Sequence, residues 1–149
     1  THTHSISNLP TCRYIEEICC QRKYARGNML ISQFRNCSVN VKNCLFRAYC
    51  SNAYGCQLWS TYRKPMYQKV DVAYNYVYRR LFNIERWESI SMIFATNHVD
   101  SFSIVRRKLM YSFKCRLSRT KNRLIQTVIE SEDFVRSSIY QEWQRCLYV

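Results

Sequence analysis

Apolar residues recur every three or four positions along most of this chain, which is the spacing of one face of an α-helix. After Ser38 the recurring residues are Val41, Leu45, Ala48, Tyr49, Asn52, Cys56 and Trp59. Ser38 is a natural N-cap, because its hydroxyl can accept a hydrogen bond from a backbone N–H two or three residues further on. The pattern therefore predicts a helix that begins after Ser38 and buries that face.

This helix is predicted to bend near Gly55 and to end at Lys64, because the residue before Pro65 is pushed out of helical geometry. The same periodicity predicts further helices at residues 66–82, 90–96, 102–117, 122–130 and 134–147. The predicted buried face of the first of these consists of Met66, Val70, Ala73, Tyr74, Val77 and Leu81.

A first helix is predicted from Thr11 to about Asn36. Gly27 lies in its middle, where glycine weakens a helix, and so predicts either a kink or a close contact with another helix. The predicted buried face consists of Ile15, Ile18, Cys19, Arg22, Ala25, Met29, Ser32 and Phe34.

The composition favours a fold made of helices. Only 2 glycines and 2 prolines occur in 149 residues, whereas barrels and sandwiches need many tight turns built from such residues. We therefore expect an all-α bundle of five to seven helices with short polar loops. Residues 1–12 are predicted to be a disordered lead-in, 13–117 one helical region, and 118–149 a C-terminal helical extension packed on it.

The charge is strongly positive and unevenly distributed. The formal net charge is +13, and neither Asp nor Glu occurs from Ile18 to Val70 or from Ser101 to Ile129. Mixed signs would serve solubility better than one sign, so a polyanionic partner is the first expectation. The alternative is a basic surface that is merely solvated.

Three short segments are rich in aromatic residues, and two of them also contain arginine. Arginine contacts phosphates, and aromatic rings stack on sugars or bases, so these segments are candidates for a nucleic-acid contact. Packing of the tyrosines with their hydroxyls in water stays open as the alternative. The segments are Tyr74-Asn75-Tyr76, Tyr78-Arg79-Arg80 and Arg86-Trp87.

No motif for catalysis or metal binding is found. The 9 cysteines lack the paired short spacing of a zinc site, and His98 beside Asp100 has no nucleophile at a suitable spacing. We expect no catalytic residue, no metal and no cofactor. The absence of a signal peptide or a membrane span predicts free thiols and an intracellular location, in the nucleus or cytoplasm.

An ordered set of residues from Ile15 to Leu117 resembles the region after the palm in reverse transcriptases of jockey-like non-LTR retrotransposons. The set is Tyr24-Ala25-Arg26-Gly27-Asn28-Met29-Leu30, Phe34, Cys37-Ser38, Val41-Lys42, Leu45-Phe46, Tyr49-Cys50, Tyr54, Leu58-Trp59, Ala73-Tyr74-Asn75, Arg79, Leu81, Arg86, Phe94, Val99 and Arg106-Arg107.

The resemblance implies that residues 13–117 are a thumb-like region that grips the backbone of the template–primer duplex. The family's catalytic aspartates, which hold Mg²⁺, lie in an upstream palm, and this chain has no adjacent Asp-Asp. We therefore expect a fragment of an RNA-directed DNA polymerase that is not an enzyme on its own. Its expected partners are an RNA–DNA hybrid or RNA, bound without sequence preference, and the missing palm; no membrane is expected.

Candidate nucleic-acid-binding residues are chosen by charge and position within these helices. They are Arg22, Lys23, Arg26, Arg35, Lys42, Arg47, Arg79, Arg80, Arg106 and Arg107.

Two other functions remain open. The chain is alternatively a basic protein-interaction module, in which Trp59, Trp87 and Trp143 anchor a partner helix. It is otherwise an inert remnant of a degraded element, which would aggregate through exposed apolar faces.

Overall fold

The structure, a computed structural model, describes residues 10–53, 55–56 and 64–148. In that part of the chain there are eight helices and no strand, which confirms the all-α prediction. The helices are α1 (Pro10–Phe34), α2 (Val39–Tyr49), α3 (Lys64–Phe82), α4 (Ile90–Thr96), α5 (Phe102–Ser118), α6 (Arg123–Glu130), α7 (Glu132–Arg136) and α8 (Ser138–Leu147).

The helices fall into two compact units. The first holds the described residues of 1–52 and 62–99, with α1 to α4; the second holds those of 53–61 and 100–149, with α5 to α8. The structure thus groups α5 with the C-terminal helices, whereas the predicted division lies after residue 117. Residues 1–9 of the predicted lead-in lie outside the described residues, and α1 already begins at Pro10.

The contact between α1 and α3 is close at Gly27. A Cβ atom at this position would lie 2.5 Å from Cγ1 and 2.8 Å from Cγ2 of Val77. Real Cβ atoms do not approach carbon so closely, so only glycine fits without a shift. Of the two predictions for Gly27, the close helix contact is confirmed.

The predicted buried face of α1 is wrong in part. Ile18, Cys19, Met29 and Phe34 are half-buried, Ser32 is exposed, and the side chain of Ile15 lies outside the described residues. Arg22 and Ala25 are exposed, whereas Lys23, Gly27 and Leu30 are buried. Lys23, Gly27 and Leu30 follow the period of a helix, but two of these three residues are not apolar. The apolar residues alone therefore do not identify the buried face of α1.

The predicted length of α2 is also wrong, and its predicted face is wrong at the exposed residues Val41, Ala48, Tyr49 and Asn52. Leu45 is half-buried, Cys56 is buried but lies beyond the helix, and Trp59 lies outside the described residues. Ser38 does cap the helix, since its Oγ accepts a hydrogen bond from the backbone N–H of Val41 at 3.5 Å. The buried residues of the helix, however, are Asn43 and Phe46, while Val41 is 46% and Tyr49 45% exposed.

The helix ends at Tyr49 rather than continuing to Lys64. The backbone N–H of Cys50 closes it on the carbonyl of Phe46 at 2.8 Å. Gly55 has φ +77°, a left-handed conformation that helices cannot continue through. Pro65 lies instead in the first turn of α3, where its missing N–H has no helical partner to lose.

The core of the first unit is aromatic. The ring centroid of Phe46 lies 4.8 Å from Tyr74 and 4.9 Å from Tyr78, and Tyr78 lies 4.8 Å from Phe94. The Tyr78 hydroxyl donates to Oδ1 of Asn43 at 2.9 Å, which satisfies both polar groups inside the core. Burial raises the pKa of Tyr78 to about 12. The predicted buried face of α3 is confirmed at Val70, Ala73, Tyr74, Val77 and Leu81.

The second unit packs around Trp143 of α8. Its ring centroid lies 5.9 Å from Phe113 of α5 and 5.8 Å from Phe134 of α7. The single helix predicted over 134–147 is two helices, because Ser137 interrupts it. The Ser137 hydroxyl accepts from the N–H of Tyr140 at 3.3 Å and caps α8.

Candidate nucleic-acid interface

Lys23 was predicted to contact nucleic acid, but it lies inside the first unit, away from solvent. Its side chain is buried, and Nζ donates to the backbone carbonyls of Cys50 at 2.8 Å and Asn52 at 3.3 Å. The Nζ atom also lies 5.5 Å from the ring centroid of Tyr74. A phosphate cannot reach this ammonium, so we correct the prediction and remove Lys23 from the candidate set.

Two further candidates hold the ends of helices. Nη1 of Arg26 donates to the carbonyl of Tyr49, the last residue of α2, at 3.1 Å. Nη2 of Arg47 donates to the carbonyls of Asn97 at 3.3 Å and His98 at 2.9 Å, just after α4. Cations favour the negative end of the helix dipole, so part of the positive charge stabilises the fold.

Arg79 fixes the loop between α3 and α4. Its Nη1 donates to the carbonyl of Glu85 at 2.6 Å, and its Nη2 donates to that of Glu88 at 2.7 Å. Asn83, with φ 53°, begins this loop, and the N–H of Ile84 bonds the carbonyl of Arg79 at 2.9 Å. This Schellman-type ending sets the direction in which the chain leaves α3.

Two candidates have partners of another kind. Nζ of Lys42 lies 5.8 Å from the ring centroid of Phe82, and its residue is half-buried. In the second unit Arg106 forms an ion pair with the buried Glu142. The candidates with exposed side chains that donate no described hydrogen bond are Arg22, Arg35, Arg80 and Arg107.

Glu142 is a charged group within the second unit. Burial alone would raise the pKa of this carboxyl, but hydrogen bonds from Arg106 and Cys146 and the charges of Arg106 and Arg145 together hold the pKa below its usual range. The carboxylate is therefore ionised and engaged, which gives Arg106 a structural role.

A groove of about 560 Å³ follows α3 and the loop after it. Three arginines line it, and no acidic residue is among the described residues that form its walls. We name it the α3 groove; its lining residues are Val72, Asn75, Tyr76, Arg79, Arg80, Asn83, Ile84 and Arg86.

Tyr76 is the aromatic residue of the α3 groove. It is 47% exposed, and the guanidinium carbon of Arg80 lies 6.0 Å from its ring centroid. Trp87, next to Arg86 in the loop, is 84% exposed. By contrast Tyr74 and Tyr78, from the same predicted segments, are buried in the core. They pack as the alternative predicts, but their hydroxyls bond to Ser51 and Asn43 and are not in water.

Arg79 and Arg80 are the sequence candidates that the structure brings together in the α3 groove. Arg86 belongs to an arginine–aromatic segment of the sequence but not to the candidate set. Asn83 and Ile84 were not singled out at all. The signal that could have found them is an asparagine directly after an apolar helical period, which is a typical helix end.

The tryptophans predicted as protein anchors are not equivalent. Trp143 is buried in the second unit and cannot anchor a partner, so that prediction is wrong for this residue. Trp59 lies outside the described residues. Trp87 is exposed.

Burial affects the cysteines of the first unit. Burial raises the pKa of Cys50 to about 11, with the nearby charges of Lys23 and Arg26 acting weakly in the opposite direction. Burial also raises the pKa of the Cys19 thiol. In the described ranges no group of three or more His, Cys, Asp or Glu side chains is placed to share a metal ion.

Comparison of the chain with protein-family models, with curated proteins and with solved structures finds no match. The relation to reverse transcriptases therefore stays a prediction from the sequence. None of the helices in the described part of the chain has the length and apolarity needed to cross a membrane.

Proposed function

We propose that this chain binds nucleic acid without sequence preference, through the α3 groove, as the thumb-side part of a reverse transcriptase that grips an RNA–DNA hybrid. The observation that carries the binding proposal is a groove with three arginines and no acidic residue among its described walls, beside exposed aromatic rings. The proposal includes no catalytic step and no metal within this chain, and it places the protein inside the cell.

The arginines of the α3 groove have different tasks. Both terminal nitrogens of Arg79 already hold backbone carbonyls, so this residue shapes the groove. Arg80 and Arg86 are exposed and carry the guanidinium groups that can form paired hydrogen bonds to phosphate. Neutralising a phosphate releases counterions, so binding through these residues weakens as salt rises.

The test replaces both exposed arginines of the groove, as Arg80→Gln with Arg86→Gln. We expect weaker binding to a labelled RNA–DNA hybrid, because two phosphate contacts are lost. The log–log slope of affinity against salt should become shallower by about 2, roughly 1 for each contact. Fluorescence anisotropy over a salt series measures both quantities.

A matched control removes the same charge from the second unit, as Arg119→Gln with Arg123→Gln, two exposed positions outside the candidate set. This variant should keep most of the affinity. Equal losses in the two double variants would mean that net charge alone attracts the hybrid, and the α3 groove would then have no particular role. Affinity of the unchanged protein that does not vary with salt would contradict the binding proposal itself.

A further inference from the structure

We propose that the α3 groove also holds one unpaired nucleotide, whose base stacks on Tyr76 while Arg80 and Arg86 contact the flanking phosphates. The inference rests on the proposed function, since it names the part of the nucleic acid that this groove receives. The groove would then receive a single-stranded segment next to the duplex. The proposed function alone requires only contacts to the backbone of the nucleic acid.

The ring of Tyr76 is held in place before a ligand arrives. Tyr24 of α1 contacts it edge-to-face, with centroids 5.5 Å apart and an interplanar angle of 74°. Tyr76 nevertheless stays 47% exposed. A ring oriented by its neighbours loses little conformational freedom when a base stacks on it, which favours binding.

Arg80 lies over the same ring and is itself exposed. A guanidinium plane stacks on bases as well as on tyrosine, so Arg80 can cover a base placed on Tyr76 or turn to its phosphate. The volume of about 560 Å³ lies within the range of small-ligand sites, so a nucleotide fits the groove.

The exposed rings favour an unpaired base over a paired one. Inside a duplex both faces of each base are covered by its neighbours, so a protein ring cannot stack on them. A site built only for a duplex backbone needs cations and polar groups, whereas Tyr76 and Trp87 offer large aromatic surfaces. Trp87 does not line the groove, but it follows the lining residue Arg86 in the chain and its ring is exposed.

Asn75 supplies a polar group in the wall of the groove. Its Nδ2 donates to Oδ2 of Asp71 in a long hydrogen bond of 3.5 Å. Its Oδ1 accepts no hydrogen bond from the described residues. An enclosed acceptor without a donor raises the free energy of the empty site. Rotation of this amide towards a base N–H removes that penalty. The side chain therefore suits the polar edge of an unpaired base.

The experiment compares a blunt RNA–DNA hybrid with the same hybrid carrying a short single-stranded RNA extension, using the whole chain. We expect the extension to tighten binding, and Tyr76→Ala to remove about 5- to 150-fold of the affinity for the extended probe. Binding of the blunt hybrid should not change. Tyr76→Phe keeps the ring and should keep the gain. A 2-aminopurine base in the extension should lose fluorescence on binding to the unchanged protein and not to Tyr76→Ala.

The control is Tyr49→Ala, which removes a tyrosine of nearly equal exposure, 45%, that does not line the groove. It should leave both affinities unchanged. Equal affinity for blunt and extended probes, with salt-dependent binding retained, would overturn the nucleotide site while leaving the proposed function in place. No salt-dependent binding of either probe would overturn the proposed function instead. Trp87→Ala is a second test that does not depend on the folding of the other variants, because a side chain this exposed contributes little to the fold. It should reduce the gain in affinity that the single-stranded extension provides.

Discussion

The ammonium group of Lys23 is enclosed between two backbone carbonyls and the face of Tyr74. A buried charge is unfavourable unless hydrogen bonds replace its water, and the carbonyls of Cys50 and Asn52 supply them. These carbonyls follow the end of α2, where a helix leaves backbone acceptors without internal partners. Lys23 therefore joins α1 to the end of α2.

Lys23→Met tests this role, because methionine keeps much of the buried stem and removes the donor. We expect the free energy of unfolding to fall by about 1–3 kcal/mol, since two carbonyls lose a buried partner. Urea unfolding followed by circular dichroism measures the change.

Arg22→Met is the matched control on the neighbouring, exposed position of α1. It should change the free energy of unfolding by no more than about 0.5 kcal/mol. Equal stability of Lys23→Met and the unchanged protein would contradict a structural role for the lysine.

At the scale of elements, α1 and α3 meet where Gly27 faces Val77. Alanine is the better helix former by about 1 kcal/mol, so α1 alone would gain from Gly27→Ala. The added methyl group would meet both γ-carbons of Val77, and overpacking of this kind costs about 1–3 kcal/mol. The two effects oppose each other, and their balance can be measured.

We expect Gly27→Ala to destabilise the protein and Val77→Ala to do so as well, the latter by loss of buried volume. The double variant should be more stable than the sum of the two losses predicts, because each change relieves the other. A double-mutant cycle by thermal or urea unfolding gives this coupling energy, expected at about 0.5–3 kcal/mol in the favourable direction. Strict additivity would show that the two residues do not touch.

The helices themselves could be predicted from the period of apolar residues, but only some of their buried faces could. The face of α3 is apolar throughout, so its pattern identified Val70, Ala73 and Val77 correctly. Those of α1 and α2 include Lys23 and Asn43, whose partners lie 27 and 35 residues further along the chain. A local pattern contains no information on such partners, so it does not identify Lys23 or Asn43 as buried.

At the scale of the whole molecule, the formal net charge of +13 serves two purposes. Some cations point inward or along the surface to backbone carbonyls, as Arg26, Arg47 and Arg79 do. Others, such as Arg80 and Arg86, are exposed beside the groove. The sequence predicted the excess charge and the arginine–aromatic segments. It could not separate the two sets, because that depends on which carbonyls the fold brings within reach.

The protein should lose stability in alkali, because burial raises the pKa of Cys50 from 9.0 to about 11 and that of Tyr78 from 10.0 to about 12. Above the lower value of each pair the unfolded chain releases the proton while the folded chain retains it. The unfolded state is then favoured, by about 1.4 kcal/mol per pH unit for each group. For Cys50 the contribution is complete below pH 9 and is lost as the pH rises to about 11.

Urea unfolding at a series of pH values measures this loss, with Cys50→Ala as the control. The variant removes the buried thiol and keeps the backbone carbonyl that Lys23 contacts. Between pH 9 and 11 its stability should fall less steeply than that of the unchanged protein. Parallel curves would show that the thiol ionises equally in both states.

The bonds from Lys23 and Arg26 to the end of α2 have a consequence for how sequences of this fold diverge. The acceptors are the backbone carbonyls of Tyr49 and Cys50, and every amino acid provides such a carbonyl. Tyr49 and Cys50 can therefore be replaced by other residues without loss of these hydrogen bonds, whereas Lys23 and Arg26 must stay cationic donors. Correlated substitution reports contacts in which both side chains matter. A contact map derived from covariation would therefore not include the contact between α1 and the end of α2, although the hydrogen bonds from Lys23 and Arg26 stabilise it.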